Sequence, residues 1–405
     1  MSGVYRRKDR DGKPLKSWAF RIELPAEVVI DPASGKAAIN PDTGNPVTRR
    51  RRVWHGGFKT RKEAEAALAQ FTDNRNKGNY VEPSKMTVGV FLTEEWLPNI
   101  ERTVRPSTFV SYKLHVDRYL VPNIGDIQLR DLDAGRLNRM FGQLQSSGGS
   151  GGRALSKRTV ALTGFVIKRA LEDARRWGKV VRNVAVDANP PTASKPTITF
   201  WTPDQVARFL TTAKTADPEL LALWRLAATT GARRGGLLGA KWSDLDLESG
   251  KWRIGSTRIA ISYRQVVESQ PKTAAGRRIV SLDAGTVAAL REHRLAQAER
   301  RLLLGRWPEH GFVFVDEVGE PLHPGRVSDR FGRIVKPSGL PMIRLHDLRH
   351  SRASTLMALG ENPAVVAQQL GHTSVSFTLS TYSHVTPNDT KASAQRYADL
   401  IDGAI

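Results

Sequence analysis

Three rhythms of apolar and polar positions divide the 405 residues. Over the first 83, VYRRK, SWAFRIEL and RRRRVWHGGF place aromatic and β-branched residues between Gly, Pro and Asp turns, a strand pattern. The next run, KTRKEAEAALAQF, is rich in helix formers, and Thr60 with Glu63 has capping-box spacing. Residues 1–83 therefore predict a small sheet with one packed helix. Over 84–198 the apolar period lengthens to about 3.6. Four stretches, TVGVFLTEEWLPNI, PSTFVSYKLHVDRYLVPNI, DAGRLNRMFGQLQ and SKRTVALTGFVIKRALEDARRWG, predict a four-helix unit. Ser146–Gly152 (SSGGSGG) reads as a flexible loop inside it.

The third segment, 199–405, is mixed. Thr202 as cap with Pro203 at the first position predicts a helix start, and helical patterns cover 203–213 and 218–230. KWRIG, TRIAISY and RRIVSL predict strands. From about 284 the pattern is mainly helical, with a short FVFV strand. The stretch after Pro387 reads as an amphipathic helix whose Tyr397, Leu400 and Ile401 pack within their own domain or on a neighbouring subunit. Boundaries fall at EPSK (82–85) and at the proline-rich ANPPTASKPT (188–197). The expected fold class is multi-domain, mainly α with small β-sheets.

Charge narrows the function. The formal net charge is +22, from 62 basic and 40 acidic residues. A surface this basic expects a polyanion, most often nucleic acid. All three segments share the excess: 17 basic against 10 acidic residues in 1–83, 18 against 10 in 84–198 and 27 against 20 in 199–405. A long surface meeting DNA through each segment explains this better than one basic tail. In the first segment, Arg49, Arg50, Arg51 and Arg52 on one strand would point two to each face, so one pair can reach DNA. A solvated edge strand is the plainer alternative. With no cysteine, disulfides, Cys-ligated zinc, iron–sulfur clusters and thiol nucleophiles are excluded. No run approaches about 18 apolar residues and the N-terminus lacks a signal-peptide core, so a cytoplasmic protein without a membrane span is expected.

Candidate chemistry clusters late in the chain. TTGARRGG holds Arg233 and Arg234 at a helix boundary, and HDLRHS holds His346, Arg349 and His350. LGHTS holds His372, and TYSHV holds Tyr382 and His384. Arginines and histidines converging on one site would form a phosphate pocket, since guanidinium binds phosphate oxygens in bidentate fashion and stays charged. The structural alternative makes Arg349 a surface ion pair and the histidines hydrogen-bonded scaffold. No zincin helix, nucleotide-binding glycine loop or nucleophile elbow is present, so neither a metal nor a cofactor is expected.

TGARRGG, QPKTAAGR, HDLRH, LGH and TYSHV follow one another through residues 230–385. In this order they resemble the boxes of the tyrosine recombinases, specifically phage-type integrases. The motif match covers the last 175 residues or so; before that the likeness is architectural. The resemblance implies an N-terminal arm-type DNA-binding domain (1–83), a helical, SAM-like core-binding domain (84–198) and a mixed α+β catalytic domain (199–405). It implies catalytic roles for Arg233, Lys272, His346, Arg349 and His372, with Tyr382 as nucleophile. Tyr263 and Tyr397 read as packing residues, and His350 and His384 as supporting ones. Gly236 stands where the family usually carries an acid that supports the first arginine.

The implied reaction is site-specific recombination. Tyr382 attacks a DNA phosphorus, giving a 3′-phosphotyrosine and a free 5′-hydroxyl without ATP or metal. His346 is a candidate base and Lys272 the acid for the 5′-oxygen. The resemblance further implies core and arm attachment sites on double-stranded DNA, a homotetramer and a bacterial host cell. An excision factor and a host DNA-bending protein are possible helpers. Two alternatives remain at this stage: a type IB topoisomerase-like relaxer, and an inactive DNA-binding regulator on the same fold.

Overall fold

The computed structural model describes residues 3–8, 13–29, 31, 37–41, 43–76, 85–194, 199–262, 265–270, 276–372, 374–382, 395, 398, 399 and 401. The chain divides into two compact units, residues 1–103 with 112–193, and residues 104–111 with 194–405.

The first unit opens with an antiparallel sheet, β1 (Gly3–Lys8), β2 (Pro14–Val28) and β3 (Thr48–Phe58), in the order β1-β2-β3. Its inner face pairs Phe20 with His55 and Ile22 with Val53. Phe20 stacks on His55 there, and Phe71 from α1 (Arg61–Asn76) packs tilted against both. The Thr60 cap forms as expected: Glu63 N donates to Thr60 Oγ1 at 3.2 Å, and Thr60 N donates back to Glu63 Oε2 at 3.4 Å.

A helical body follows. α2 (Val88–Val90) and α3 (Leu97–Glu101) are joined by a π-type stretch, Phe91–Trp96. α4 (Pro106–His115) and α5 (Val121–Ile124) are likewise joined through Val116–Leu120. α6 (Ala134–Ser147) and α7 (Lys157–Arg176) complete it, capped by Asp133 and Ser156. Trp96, Val116, Leu120, Leu137, Val160 and Ile167 fill the centre. The buried Trp96 indole donates to Asp173 Oδ2 at 2.9 Å, so its one polar atom is satisfied. The glycine-rich run corrects the sequence reading. Ser146 and Ser147 end α6, and Ser150–Gly152 form a 3₁₀ turn, with Gly151 at φ 68° and Leu155 N bonded to Leu144 O. The glycines supply left-handed backbone for a tight return, not a loose loop.

In the second unit α8 (Pro203–Ala216) starts at the Thr202–Gln205 capping box. α9 (Leu221–Thr230) and α10 (Arg234–Leu238) follow. A sheet of β4 (Leu245–Asp246), β5 (Lys251–Ile254) and β8 (Arg278–Ser281) has the order β4-β5-β8, and β6 (Thr257–Ala260) pairs with β7 (Val266–Ser269) as a hairpin. Then come α11 (Ala284–Leu304), α12 (Pro324–Val335), α13 (Asp347–Ala358), α14 (Pro363–Leu370) and α15 (Val375–Tyr382). Trp201, Phe209, Trp224, Trp252, Phe314 and Phe331 anchor one apolar core. A smaller cluster, Ala353, Met357, Val366, Leu370 and Tyr382, packs α13, α14 and α15 together.

FVFV is not a strand. Phe312–Val315 are all buried, and their β-type pairing among the described residues is limited to isolated bridges, Lys241 with Phe312 and Val315 with Pro321. Four consecutive apolar residues mark a segment enclosed on all sides, which periodicity cannot distinguish from a buried strand. No helix among the described residues is long and apolar enough to cross a membrane.

Candidate active site

Two left-handed turns hold the site open. α9 ends at Gly231 (φ 58°), where a Cβ would meet Leu370 Cδ2 at 2.8 Å. α14 ends at Gly371 (φ 68°), and His372 follows. Each turn offers a carbonyl to an arginine from elsewhere. Arg349 Nη1, on α13, donates to Gly231 O at 3.0 Å, and Arg233 Nη2, from the start of α10, donates to Gly371 O at 3.2 Å.

Two further arginines complete the cluster. Arg278 on β8 donates from Nε to Gln369 O at 2.8 Å. Arg352, one turn beyond Arg349, reaches Thr230 O at 3.3 Å and Gln369 Oε1 at 2.9 Å. Carbonyls, not carboxylates, position all four guanidinium groups among the described residues. Burial, then the neighbouring Arg233 and Arg278, push Arg349 down to about 9. Burial, then Arg233 and Arg352, push Arg278 down to about 10. Both stay charged at neutral pH. Arg278 Nη2 and Arg349 Nη2 are buried with no hydrogen-bond partner among the described residues. An unmet buried donor costs about 1–3 kcal/mol, more when charged. An anion with several acceptor oxygens would remove that cost, so the chemistry of the pocket suits a phosphate.

Three histidines flank it. His372 is buried, and Thr378 Oγ1 lies 2.7 Å from its Nδ1, fixing the ring with Nε2 free for another role. Burial, then Arg349, Arg233, His350 and Arg278, push it down to about 3, so it is neutral. His346 stands at the N-cap position of α13, its surface open to water. Desolvation of the ring, then Arg349 and His350, push it down to about 4. His350, on α13, places Nδ1 2.5 Å from Tyr382 Oη. Tyr382 ends α15 at 1% exposure, and burial raises its hydroxyl to about 12, with Arg349 pulling the other way.

The structure thus gathers Arg233, His346, Arg349, His372 and Tyr382. Lys272, Tyr263, His384 and Tyr397 lie outside the described residues. Arg234 turns away to Ser328 Oγ at 2.6 Å. Gly236 is buried against Ile254, and Arg233 is held by the Gly371 carbonyl. The sequence reading missed Arg278, Arg352 and Thr378. Arg278 was detectable as the inward residue of the RRIVSL strand, and Arg352 as the third residue after Arg349. On β3, Arg49, Arg50 and Arg52 are exposed; Arg52 pairs with Glu23 at 3.4 Å, and Arg51 falls opposite Leu24 in register. Among the described residues no three or more His, Cys, Asp or Glu side chains gather as a metal site.

Residues 199–389 match the phage integrase family, residues 90–138 the N-terminal SAM-like domain of phage integrases, and residues 43–74 an arm DNA-binding domain. The chain belongs to the tyrosine recombinases of the phage integrase family. It is accordingly an enzyme of site-specific DNA cleavage and rejoining. This tyrosine recombinase is 27% identical over 362 residues to a XerC-like tyrosine recombinase of Caldanaerobacter subterraneus subsp. tengcongensis, covering 84% of the chain and 90% of that protein. It is 28% identical over 350 residues to an integrase of Streptomyces ambofaciens, covering 82% and 85%. In fold the recombinase resembles the Tn1549 transposon integrase solved with transposon right end DNA, at TM-score 0.64, 20% identity and coverage of 77% and 100%. It also resembles a lambda integrase tetramer solved on a Holliday junction, at TM-score 0.53, 19% identity and coverage of 87% and 97%.

Proposed function

We propose that this recombinase integrates a mobile element such as a phage genome, with Tyr382 as its nucleophile and a 3′-phosphotyrosine as its intermediate. The observation that carries the reading is the pocket of Arg233, Arg278, Arg349 and Arg352, with two buried guanidinium nitrogens unmet and Arg349 acting on the Tyr382 hydroxyl. In the five-coordinate transition state, charge gathers on the non-bridging oxygens. Fixed guanidinium groups stabilise it without reorganising, and neutral His346 and His372 add ring N–H donors. The Tyr382 Oη–phosphorus bond forms as the bond to the 5′-oxygen breaks. Lys272 hands that oxygen a proton, and religation reverses each transfer.

In this proposal residues 1–83 bind arm sites, with one pair from Arg49–Arg52 toward the phosphates, residues 84–198 bind core sites and residues 199–405 cut. The working form is a homotetramer on paired core sites in a bacterial cytoplasm, assisted in excision by a small directionality factor and a DNA-bending protein. A nicked suicide substrate, which lets the short 5′ strand diffuse away, tests the reading. Wild-type protein should accumulate a covalent adduct resolved on a denaturing gel. Tyr382→Phe should bind the same DNA and form none; an adduct with the Phe variant removes the nucleophile assignment.

A further inference from the structure

Burial and a raised hydroxyl leave Tyr382 a poor nucleophile until some group takes its proton. We propose that His350 is that group, accepting the phenolic proton on Nδ1 as Tyr382 attacks the phosphate. The inference rests on Tyr382 being the nucleophile. It also moves the base from His346, the ring that sequence reasoning favoured, to the next histidine along the same helix.

The geometry is direct. His350 Nδ1 lies 2.5 Å from Tyr382 Oη, within the reach a general base needs. Bulk water does not reach a hydroxyl at 1% exposure. The charged and titratable groups around His350 set its state. On α13 these are His346, whose ring stands at 90° with centroids 5.5 Å apart, and Asp347 and Arg349. Arg344 precedes α13 and pairs with Asp347 at 2.8 Å. His372 comes from the turn after α14 and Tyr382 from α15. Burial is the largest influence and lowers His350; Asp347 opposes it, and Arg349 and Arg344 reinforce it. The ring is therefore neutral at pH 7, and facing a protonated phenol its Nδ1 is the acceptor.

The transfers balance. The phenolic proton moves to His350, the new ester forms, and the departing 5′-oxygen takes its proton from Lys272. The resulting imidazolium sits near Asp347, which favours its charge. In religation the 5′-hydroxyl attacks and gives its proton back to Lys272, the phenolate leaves and His350 returns the proton it held.

The test follows adduct formation by full-length protein on the suicide substrate under single-turnover conditions across pH 5.5–9.5. His350→Ala should form adduct about 100-fold or more slowly at pH 7, within the range general bases supply. Its rate should climb about tenfold per pH unit as hydroxide substitutes. Added imidazole should recover about tenfold of the loss. Replacing Tyr382 by a fluorinated tyrosine, which gives up its proton more readily, should shrink the wild-type advantage to about tenfold or less. A purely positional role predicts none of the last three effects, and their absence would overturn the proposal. So would a faster His350→Ala, which would make the contact a latch. Should the alanine variant not fold, His350→Gln keeps a hydrogen-bonding side chain that cannot take the proton. It should be as slow as expected of alanine, and a wild-type rate with Gln would equally overturn the base. If wild type forms no adduct, or Tyr382→Phe still does, the nucleophile reading fails and takes this proposal with it. A defect missing only in the His350 variants overturns the proposal alone.

Discussion

Arg349 and Gly231, 118 positions apart in sequence, are joined by one hydrogen bond of 3.0 Å from guanidinium to carbonyl. The bond exists because Gly231 adopts φ 58° at the end of α9, turning its carbonyl toward α13. With Nη1 engaged there, Nη2 of Arg349 is one of two buried guanidinium nitrogens in the pocket with no hydrogen-bond partner among the described residues. A backbone turn thus positions a buried guanidinium.

Gly231→Ala tests that link. A left-handed alanine costs roughly 1–2 kcal/mol, and its Cβ would also press Leu370 Cδ2 at 2.8 Å. The variant should melt several degrees lower by calorimetry and form adduct at least about tenfold more slowly at temperatures where it stays folded. Full activity in the folded variant would show that the turn does not aim Arg349.

Arg278 should behave as a charge the reaction uses. Arg278→Met should slow adduct formation by roughly 2–4 kcal/mol of barrier, the loss of one fixed donor. Arg278→Lys should recover part of it. On DNA carrying a methylphosphonate at the scissile position, which lacks one negative oxygen, the gap between wild type and Met should narrow. An unchanged gap would assign Arg278 to scaffolding alone.

The buried histidine gives a stability signature. His372 titrates at about 3 in the folded chain against 6.5 in a free ring, so the unfolded state binds more protons between those values. Its contribution is fully present above pH 6.5 and is lost on acidification, at about 1.4 kcal/mol per pH unit in that window. Melting temperature should therefore fall between pH 6.5 and 4.5, and His372→Asn should flatten the fall. Thr378→Val, which removes the 2.7 Å contact on Nδ1, should leave most of the slope but slow adduct formation about tenfold.

Lys272 is testable through its leaving group. Lys272→Ala should cut ordinary DNA poorly and recover when the bridging 5′-oxygen is sulfur, which leaves without a proton. Excess chelator should not slow the wild-type enzyme on either substrate, because the charge on the phosphate is met by side chains.

Much of this was legible in the sequence where one residue decides one local event. Thr60 and Thr202 announced their helices because a cap acts within three residues. Gly231 and Gly371 lay in the motifs because only glycine suits such turns. The inward placement of Arg278 on its strand and of Arg352 one turn after Arg349 was readable, but not their role in the site. Their task is set by Gln369, 91 and 17 positions away, and nothing local in a strand or a helix marks a partner brought by folding. His350 was read as a supporting neighbour in HDLRH. Only the end of α15, folded back onto α13, shows which histidine of that box meets the tyrosine. FVFV failed for the opposite reason, since its four residues look alike however they are enclosed.

Tyr382 packs in the small cluster with Ala353, Met357, Val366 and Leu370, apart from the main core around Trp224 and Phe331. Loss of α15 would cost that satellite and the Thr378 brace, but not the core, nor the Gly231 and Gln369 contacts that fix the arginines. On the nucleophile assignment proposed above, a chain ending near residue 374 should keep the arginine pocket and lose the attacking hydroxyl. Co-expressed with the intact enzyme, it should occupy the same DNA sites and act as a dominant inhibitor, so an early stop codon here should differ in effect from simple absence of the protein.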